Sequence, residues 1–124
     1  MDYVATPDAP QAIGPYSQAV KANGLVFTSG QIALDPATGN VVEGSFADQV
    51  HRVFRNLEAV LKEAGSGFDR VLRATVYLTD MGNFQTLNTI YAEYFGEHKP
   101  ARTTIEASAL PKGGAVEIDL IALA

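Results

Sequence analysis

The chain has 124 residues, of which 47% are hydrophobic and 19% charged, a composition that predicts one folded globular domain over residues 1–124 rather than a disordered chain. The formal net charge is −5 and no basic run is present, which disfavours nucleic acid as the main partner, because contacts to phosphate need clustered Lys and Arg. There is no cysteine, which excludes disulfides, thiolate nucleophiles and cysteine metal sites.

The sequence shows no pattern for membrane insertion or export. No apolar run approaches the roughly 20 residues that span a bilayer. The N-terminus lacks the basic and apolar regions of a secretory signal. We therefore expect a cytoplasmic protein without a membrane partner.

The N-terminal quarter is predicted to contain a β-hairpin. A short strand over Met1–Thr6 and a loop over residues 7–15, broken by proline and glycine, precede it. The strand-like runs Tyr16–Ala22 and Leu25–Ala33 are joined by Asn23-Gly24. This dipeptide favours a type I′ turn, which needs positive φ at both central residues, and so predicts two antiparallel strands.

Gly30 interrupts the second of these strands. A glycine inside a strand adds no side-chain packing and marks either a β-bulge or a close approach to the backbone by a ligand. Both alternatives stay open for Ser29 and Gly30 at this point.

The segment Ser45–Ala64 carries the strongest helix signal. Ser45 is suited to N-cap the helix, Asp48 places a negative charge in the first turn, and Gly65 suits the position after the last turn. Spacings of three and four between apolar residues predict one buried stripe. Its members are Phe46, Val50, Val53, Phe54, Leu57, Val60, Leu61 and Ala64.

The second half of the chain predicts three strands and a second helix. The strands are expected at Val71–Thr79, Arg102–Ser108 and Val116–Leu123, and the helix from about Asn83 to His98. Asn88 lies on the apolar stripe of that helix. A polar residue there either satisfies a core backbone group or points into a pocket.

Alternation along these strands separates an apolar face from a mixed face. The apolar face is expected to carry Leu72, Ala74, Val76, Leu78, Val116, Ile118, Leu120 and Ala122. The mixed face holds Tyr77, Ile121 and Leu123 among hydroxyl residues. Two helices cover only one face of a sheet, so we expect the mixed face to be buried against another copy of the chain.

Arg102 and Glu117 are two charges within strand-like segments, where charges are rarely left unless they are paired or used. The planar guanidinium of Arg102 suits a substrate carboxylate, because it donates two parallel, charge-assisted bonds. A structural ion pair with Glu106, on the same strand face, is the alternative. Glu117 suits the handling of a water, and a carboxylate at the rim of an interface is the alternative.

His51 and His98 are the only histidines in the chain. Neither has the neighbouring ligands whose spacing marks a metal site. We therefore expect both at the surface and expect no metal to be bound.

Seven short segments, spread over nearly the whole chain, agree in order and spacing with those of a known family. They are IGPYSQA (13–19), VFTSGQI (26–32), VYLTD (76–80), NTIYAEYF (88–95), PARTT (100–104), LPK (110–112) and VEI (116–118). In these segments the chain resembles the Rid family, also called the YjgF/YER057c/UK114 family. The closest resemblance is to its RidA branch of enamine/imine deaminases.

The resemblance implies a chorismate-mutase-like α+β fold, with a mixed sheet and two helices on one face. It also implies a homotrimer whose three pockets lie between subunits. The implied reaction is hydrolysis of 2-iminobutanoate and 2-iminopropanoate, the tautomer of 2-aminoacrylate, to 2-oxo acids and ammonia. No cofactor is implied.

The resemblance also assigns site residues. Arg102 would bind the substrate carboxylate and Glu117 would handle the water. The pocket-lining positions are Tyr16, Ser29, Gly30 and Asn88. The residues alone leave Tyr16 equally compatible with a core tyrosine.

Thr104 departs from the family pattern, because many members have cysteine at this position. Imine hydrolysis needs no thiolate, so the departure affects thiol-based regulation and substrate preference rather than reaction type. Thr104 lies two residues from Arg102 on the same strand face, and we expect it to line the same pocket.

Two other functions stay open. One is a non-catalytic trimer that binds small carboxylates such as 2-oxo acids in a regulatory role, and the other is an RNA-cleaving inhibitor of translation, an activity attributed to some relatives. Glu117 argues against the first, since a pure carboxylate binder would not need it. The acidic charge argues against the second.

Overall fold

A six-stranded mixed sheet with two helices on one face forms the fold, and the computed structural model describes residues 1–124. The elements are β1 (Asp2–Val4), β2 (Ala19–Ala22), β3 (Leu25–Thr28), α1 (Phe46–Glu63), β4 (Val71–Leu78), α2 (Phe84–Phe95), β5 (Ala101–Glu106) and β6 (Val116–Leu123). The predicted α+β class is confirmed. Neither helix is long and apolar enough to cross a membrane.

The strands lie in the order β1-β2-β3-β6-β4-β5, and only β4 and β5 run parallel. Parallel neighbours need a crossover connection, which α2 provides between β4 and β5. The predicted hairpin joins β2 to β3, where Asn23 and Gly24 have φ values of 52° and 76°. Both values are positive, as a type I′ turn requires.

Helix α1 begins and ends where its sequence predicts. The Ser45 hydroxyl accepts from the Asp48 backbone N–H at 3.2 Å, and the Asp48 carboxylate accepts from the Ser45 N–H at 2.9 Å, which is a complete capping box. The chain leaves the helix through Gly65, whose φ is 79°. Phe54 is fully buried and stacks on Tyr94 at 4.5 Å, which joins α1 to α2.

Both strands of the hairpin are shorter than predicted. β2 begins at Ala19 rather than Tyr16, and β3 ends at Thr28 rather than Ala33. Phe27 pairs with Ile121 of β6, whereas the next bridge joins Gln31 to Ile118, so the chain that continues from β3 has one residue more than β6 in this interval. The extra residue is a β-bulge, one of the two alternatives for Ser29-Gly30.

Alternation along β4 predicts that Leu72 shares the buried face of Ala74, but the structure places Leu72 on the other face. The pairing of β4 with β6 shifts register between Val71 and Arg73, so Val71 is buried while Leu72 is 44% exposed. A bulge of this kind breaks the period-two pattern that the prediction relied on.

The second helix is shorter than predicted, whereas both histidines lie at the surface as expected. α2 ends at Phe95, because Gly96 adopts a φ of 61° that terminates the helix. Both histidines are partly exposed, and each has a polar partner. The His51 Nδ1 lies 2.8 Å from the Tyr94 hydroxyl, and the His98 Nε2 lies 2.6 Å from the Val71 carbonyl oxygen.

The core lies between the helices and one face of the sheet. The sheet contributes fully or almost fully buried Val26, Val76, Val116, Ile118 and Leu120. The opposite face, which we call the open face, carries Tyr77 and Ile121 together with Phe27, Ile105 and Leu123, which are 42%, 44% and 41% exposed. The expected division into an apolar and a mixed face is therefore confirmed apart from Leu72.

Candidate functional site

Arg102 and Glu117 lie on opposite faces of the sheet. Residues paired across neighbouring strands point to the same face. Arg102 pairs with Ala74, which is fully buried beneath the helices, whereas Glu117 pairs with Tyr77 on the open face. β4 also lies between their strands, which adds a lateral separation of about 10 Å. One chain therefore does not bring the two residues together around a small ligand.

Arg102 is held by the helix beneath it. Its Nη1 donates to the Asn88 Oδ1 at 2.8 Å, and its guanidinium carbon lies 4.7 Å from the ring centroid of Tyr91 and 5.5 Å from that of Phe84. These contacts fix the plane of the guanidinium by hydrogen bonding and cation–π attraction. We call Arg102, Asn88, Tyr91 and Thr104 the arginine cluster.

The ion pair with Glu106, the alternative reading of Arg102, is wrong. The Glu106 carboxylate accepts from the backbone N–H of Met81 at 3.0 Å, and Arg102 has no carboxylate within 4 Å in the chain. A guanidinium has five N–H donors in a rigid fork, and only one of those of Arg102 donates to a side chain, that of Asn88. The remaining donors suit a planar carboxylate.

Thr104 lies on the same face as Arg102, as predicted, because it pairs with the buried Val76. Its hydroxyl is buried and has no hydrogen-bond partner, and the same holds for the hydroxyl of Tyr91. Burial raises the pKa of Tyr91, while the charge of Arg102 opposes that shift. A buried polar group normally has a hydrogen-bond partner, so the chain alone leaves both hydroxyls of the arginine cluster unsatisfied.

The other predicted residues lie together around a separate cavity of about 500 Å³. Tyr16, Ser29, Gly30 and Glu117 all line it, and we call it the glutamate cavity. Its further walls are Pro10, Gln11, Ile13, Gln18, Gln31, Ile32, Leu34, Pro111 and Lys112. The structure thus divides the predicted site into two halves, one on each face of the sheet.

Gly30 leaves room for the Glu117 side chain. A methyl group built on Gly30 would lie 2.5 Å from the Oε2 of Glu117 and 2.8 Å from its carboxyl carbon. Both separations are far below a van der Waals contact. The bulge at Gly30 therefore coincides with a close approach, although the approaching group is a side chain of the same protein.

Ser29 and Tyr16 adopt different roles in this cavity. The Ser29 hydroxyl donates to the Ser17 carbonyl at 2.5 Å and its N–H donates to the Gln18 carbonyl at 2.9 Å, so Ser29 fixes the backbone of the wall. Tyr16 is 54% exposed, which rules out the core-tyrosine alternative. Its hydroxyl accepts a bond of 3.4 Å from the Ile13 N–H.

The electrostatics of the cavity raise the proton affinity of Glu117. Partial burial raises the pKa of its carboxyl above the ordinary value, and the negative charge of Asp119 raises it further. The pKa of Asp119 is also raised by burial, against the opposing effects of the nearby Tyr77 and Thr75 hydroxyls and of the Arg73 charge. A carboxyl with a raised pKa is a stronger base once ionised.

Two buried amides that hold the cavity walls were missed in the sequence. The side chain of Gln18 bonds the Thr6 N–H at 2.7 Å and the carbonyls of Thr6 and Pro10 at 3.0 and 2.8 Å. Asn56 on α1 donates to the Leu34 carbonyl at 2.9 Å. Asn56 falls on the apolar stripe of α1, and a polar residue on such a stripe indicates a buried hydrogen bond. Gln18 had no comparable signal.

Known proteins match the chain along its whole length. A family model described as Endoribonuclease L-PSP matches residues 6–124. A RutC family protein of Pyrococcus horikoshii is 49% identical over 121 residues, which cover 98% of this chain and 96% of that protein. The 2-iminobutanoate/2-iminopropanoate deaminase of Bos taurus is 45% identical over 97% of this chain and 88% of that protein.

Solved structures match the fold equally well. YyfA of Yersinia pestis, described as a protein of unknown function of the conserved Rid protein family, has a TM-score of 0.96 and 46% identity, and the match covers 99% of this chain and 98% of that one. TdcF of E. coli, solved with bound serine, has a TM-score of 0.94 and 36% identity, with coverage of 100% and 99%.

Proposed function

This chain belongs to the Rid family, and on that premise we propose that it is a 2-iminobutanoate/2-iminopropanoate deaminase. In the proposed reaction water adds to the carbon of the C=N bond of a 2-imino acid, and the C–N bond then breaks to leave a 2-oxo acid and ammonia. Two features of the chain carry the proposal: Arg102 has guanidinium donors without a partner, and burial and the charge of Asp119 raise the pKa of Glu117. The name of the bovine relative supports the same reaction.

Arg102 is proposed to bind the substrate carboxylate. Asn88 and the ring of Tyr91 fix the guanidinium on one side and leave its other donors free. Two charge-assisted bonds from this fork would orient the carbon that reacts, which sits next to the carboxylate. Thr104 lies two residues from Arg102 on the same face of β5, and its hydroxyl has no partner. We propose that this hydroxyl contacts the same ligand.

Glu117 is proposed to take a proton from the attacking water and to return it to the departing nitrogen. An imine carbon is already electrophilic, so the site needs mainly orientation, water placement and proton transfer. A carboxyl whose pKa is raised by burial serves both steps, because it is a better base when ionised and keeps a proton longer when neutral. The glutamate cavity of about 500 Å³ has room for a substrate of four carbons.

A neighbouring copy is proposed to complete the site. Arg102 and Glu117 lie on opposite sheet faces of one chain, so a pocket that contains both must take them from different copies. The exposed apolar residues Phe27, Ile105 and Leu123 on the open face supply a surface that association would bury. We infer a homotrimer with a substrate pocket between each pair of subunits.

The bound serine of the TdcF structure favours a second candidate, a binding protein for small amino or 2-oxo acids. Such a protein would use the arginine cluster and would not need a proton-transfer group at Glu117. The two candidates therefore differ in what Glu117 contributes.

The test is a coupled assay. A PLP-dependent dehydratase generates 2-aminoacrylate from serine, or its homologue from threonine, and 2-oxo acid formation is followed with and without the protein. A deaminase accelerates release of the 2-oxo acid, and Glu117→Gln loses the acceleration while still binding a 2-oxo acid. A wild-type protein that binds 2-oxo acids without accelerating their release is a binding protein, and the proposal fails.

A further inference from the structure

Glu117 has an acidic neighbour that the proposed reaction does not yet use. Asp119 lies two residues along β6 and points to the same open face, about 7 Å away along the strand. Both carboxyls are half-buried. Two acids that share one partly buried face cannot ionise independently, because each charge opposes the other.

The surroundings of the two carboxyls differ. Asp119 pairs with Thr75; burial raises its pKa, and the hydroxyls of Tyr77 and Thr75 and the charge of Arg73 act in the opposite direction, in favour of its ionised form. Glu117 has no hydrogen-bond donor from the chain, and its carboxylate lies where a side chain on Gly30 would stand. Paired carboxyls whose environments differ in this way divide into one that stays charged and one that carries a proton more readily.

We propose that Asp119 is a positioning residue, which lies two residues from Glu117 on the shared face of β6 and acts through its charge on the Glu117 carboxyl. This inference rests on the proposed role of Glu117 in imine hydrolysis. In that role Asp119 touches neither substrate nor water. It acts through Glu117, which accepts the proton of the attacking water and later gives it to the leaving ammonia.

Other charged and titratable groups face Glu117 from the elements packed against it. β4 contributes Tyr77 directly opposite and Arg73 beyond it, and the walls of the glutamate cavity contribute Lys112 and Tyr16. Lys112 Nζ donates to the Gly39 carbonyl at 3.0 Å, and the Arg73 guanidinium donates to the Thr103 hydroxyl at 2.5 Å. Both cations therefore have partners other than Glu117, and within one chain Asp119 is the charge that shifts the pKa of Glu117. Arg102 of the neighbouring copy, which the proposed pocket adds, is positive and would oppose that shift in every variant alike.

The direction of the effect follows from electrostatics. A negative charge nearby disfavours loss of the Glu117 proton, so Asp119 raises the pKa of Glu117 and strengthens it as a base. Removal of the charge should lower that pKa. The acid limb of the activity profile would then move to lower pH, and kcat at its plateau would fall because the ionised base is weaker.

A structural role is the competing explanation for Asp119. As the partner of two hydroxyls on β4, it would hold the sheet face together without influencing proton transfer. Loss of that role would lower the melting temperature and would leave the position of the acid limb unchanged.

Carbon-13 NMR titration of the Glu117 carboxyl, together with pH profiles of kcat, separates these explanations. The variants are Asp119→Asn, which removes the charge, and Asp119→Glu, which keeps it. Asp69→Asn is the matched control, since it removes one exposed negative charge from a turn before β4. We expect the Glu117 titration and the acid limb to move to lower pH in Asp119→Asn only.

An unchanged Glu117 titration in folded Asp119→Asn overturns the inference, as does an equal shift in Asp69→Asn. If Asp119→Asn fails to fold, Tyr77→Phe replaces it. The Tyr77 hydroxyl favours the ionised form of Asp119, so its loss should raise the pKa of Asp119 and leave less of it charged. The Glu117 titration should then move to lower pH. The NMR measurement needs no substrate, so an inactive wild type would sink the proposed deaminase function without deciding the coupling.

Discussion

The carboxylate of Glu117 lies against the backbone of Gly30, so close that any side chain at position 30 would occupy the same space. This contact explains why a glycine interrupts the strand-like run after β3. The φ of Gly30 is not positive, so backbone freedom does not require a glycine here. The reason for the glycine is that a Cβ at this position would clash with Glu117.

Gly30→Ala should therefore displace the Glu117 carboxylate. We expect kcat to fall by about 10²-fold, the scale of a misplacement near 1 Å, with little change in the affinity for a 2-oxo acid bound by Arg102. Steady-state kinetics of the coupled assay and product-binding calorimetry measure the two effects. Gly67→Ala is the control, because its added methyl meets only the flexible carboxylate of Asp69. Wild-type kcat in Gly30→Ala would show that the contact is not functional.

Arg102→Ala should abolish carboxylate binding and leave the fold intact, because the only side-chain hydrogen bond that Arg102 makes is to Asn88. Loss of two charge-assisted bonds predicts a drop in kcat/KM of at least about 10²-fold. Arg102→Lys keeps the charge but not the fork, and should recover only part of that loss. Arg55→Ala, on the exposed side of α1, is the matched control. A near wild-type kcat/KM in folded Arg102→Ala would remove the assigned role.

Glu117→Gln should lose activity and gain stability near neutral pH. The folded protein raises the pKa of Glu117, so between the unfolded and folded values the native state binds more protons and stability falls as pH rises. Glutamine removes that cost. The melting temperature of the variant should exceed that of wild type at pH 7, and the difference should vanish below the ordinary carboxyl pKa. A less stable variant at pH 7 would contradict the raised pKa.

Gln18→Leu should loosen the loop that carries Tyr16. The substitution leaves buried backbone groups of Thr6 and Pro10 without partners, at a cost of about 1–3 kcal/mol for each group. We expect a lower free energy of unfolding in urea and faster amide hydrogen exchange between residues 5 and 17. Gln85→Leu on the exposed side of α2 should change neither quantity. Unaltered exchange in Gln18→Leu would mean that the amide does not hold the loop.

Local patterns in the sequence predicted much of the fold. The capping box at Ser45, the Asn23-Gly24 turn and the alternation along β6 depend on near neighbours, so they could be predicted correctly. Alternation also placed Thr104 with Arg102.

The relation between the two half-sites depends on strand pairing, which local patterns do not determine. β6 inserts between β3 and β4, and this order places Glu117 and Arg102 on opposite faces of one sheet. The bulge that exposes Leu72 and the loop contacts of Gln18 arise from the same long-range pairing and packing. Each therefore needed the three-dimensional structure.

Subunit mixing between two inactive variants tests the central claim, that Arg102 of one copy works with Glu117 of another. Arg102→Ala and Glu117→Gln, carrying different affinity tags, are co-expressed, and hybrid trimers are isolated after sedimentation confirms their size. In each hybrid one of the three pockets between subunits joins an intact Arg102 to an intact Glu117, so isolated hybrids should regain about one third of wild-type activity, and an unselected equal mixture about one quarter. Hybrids as inactive as either parent would contradict a site shared between copies.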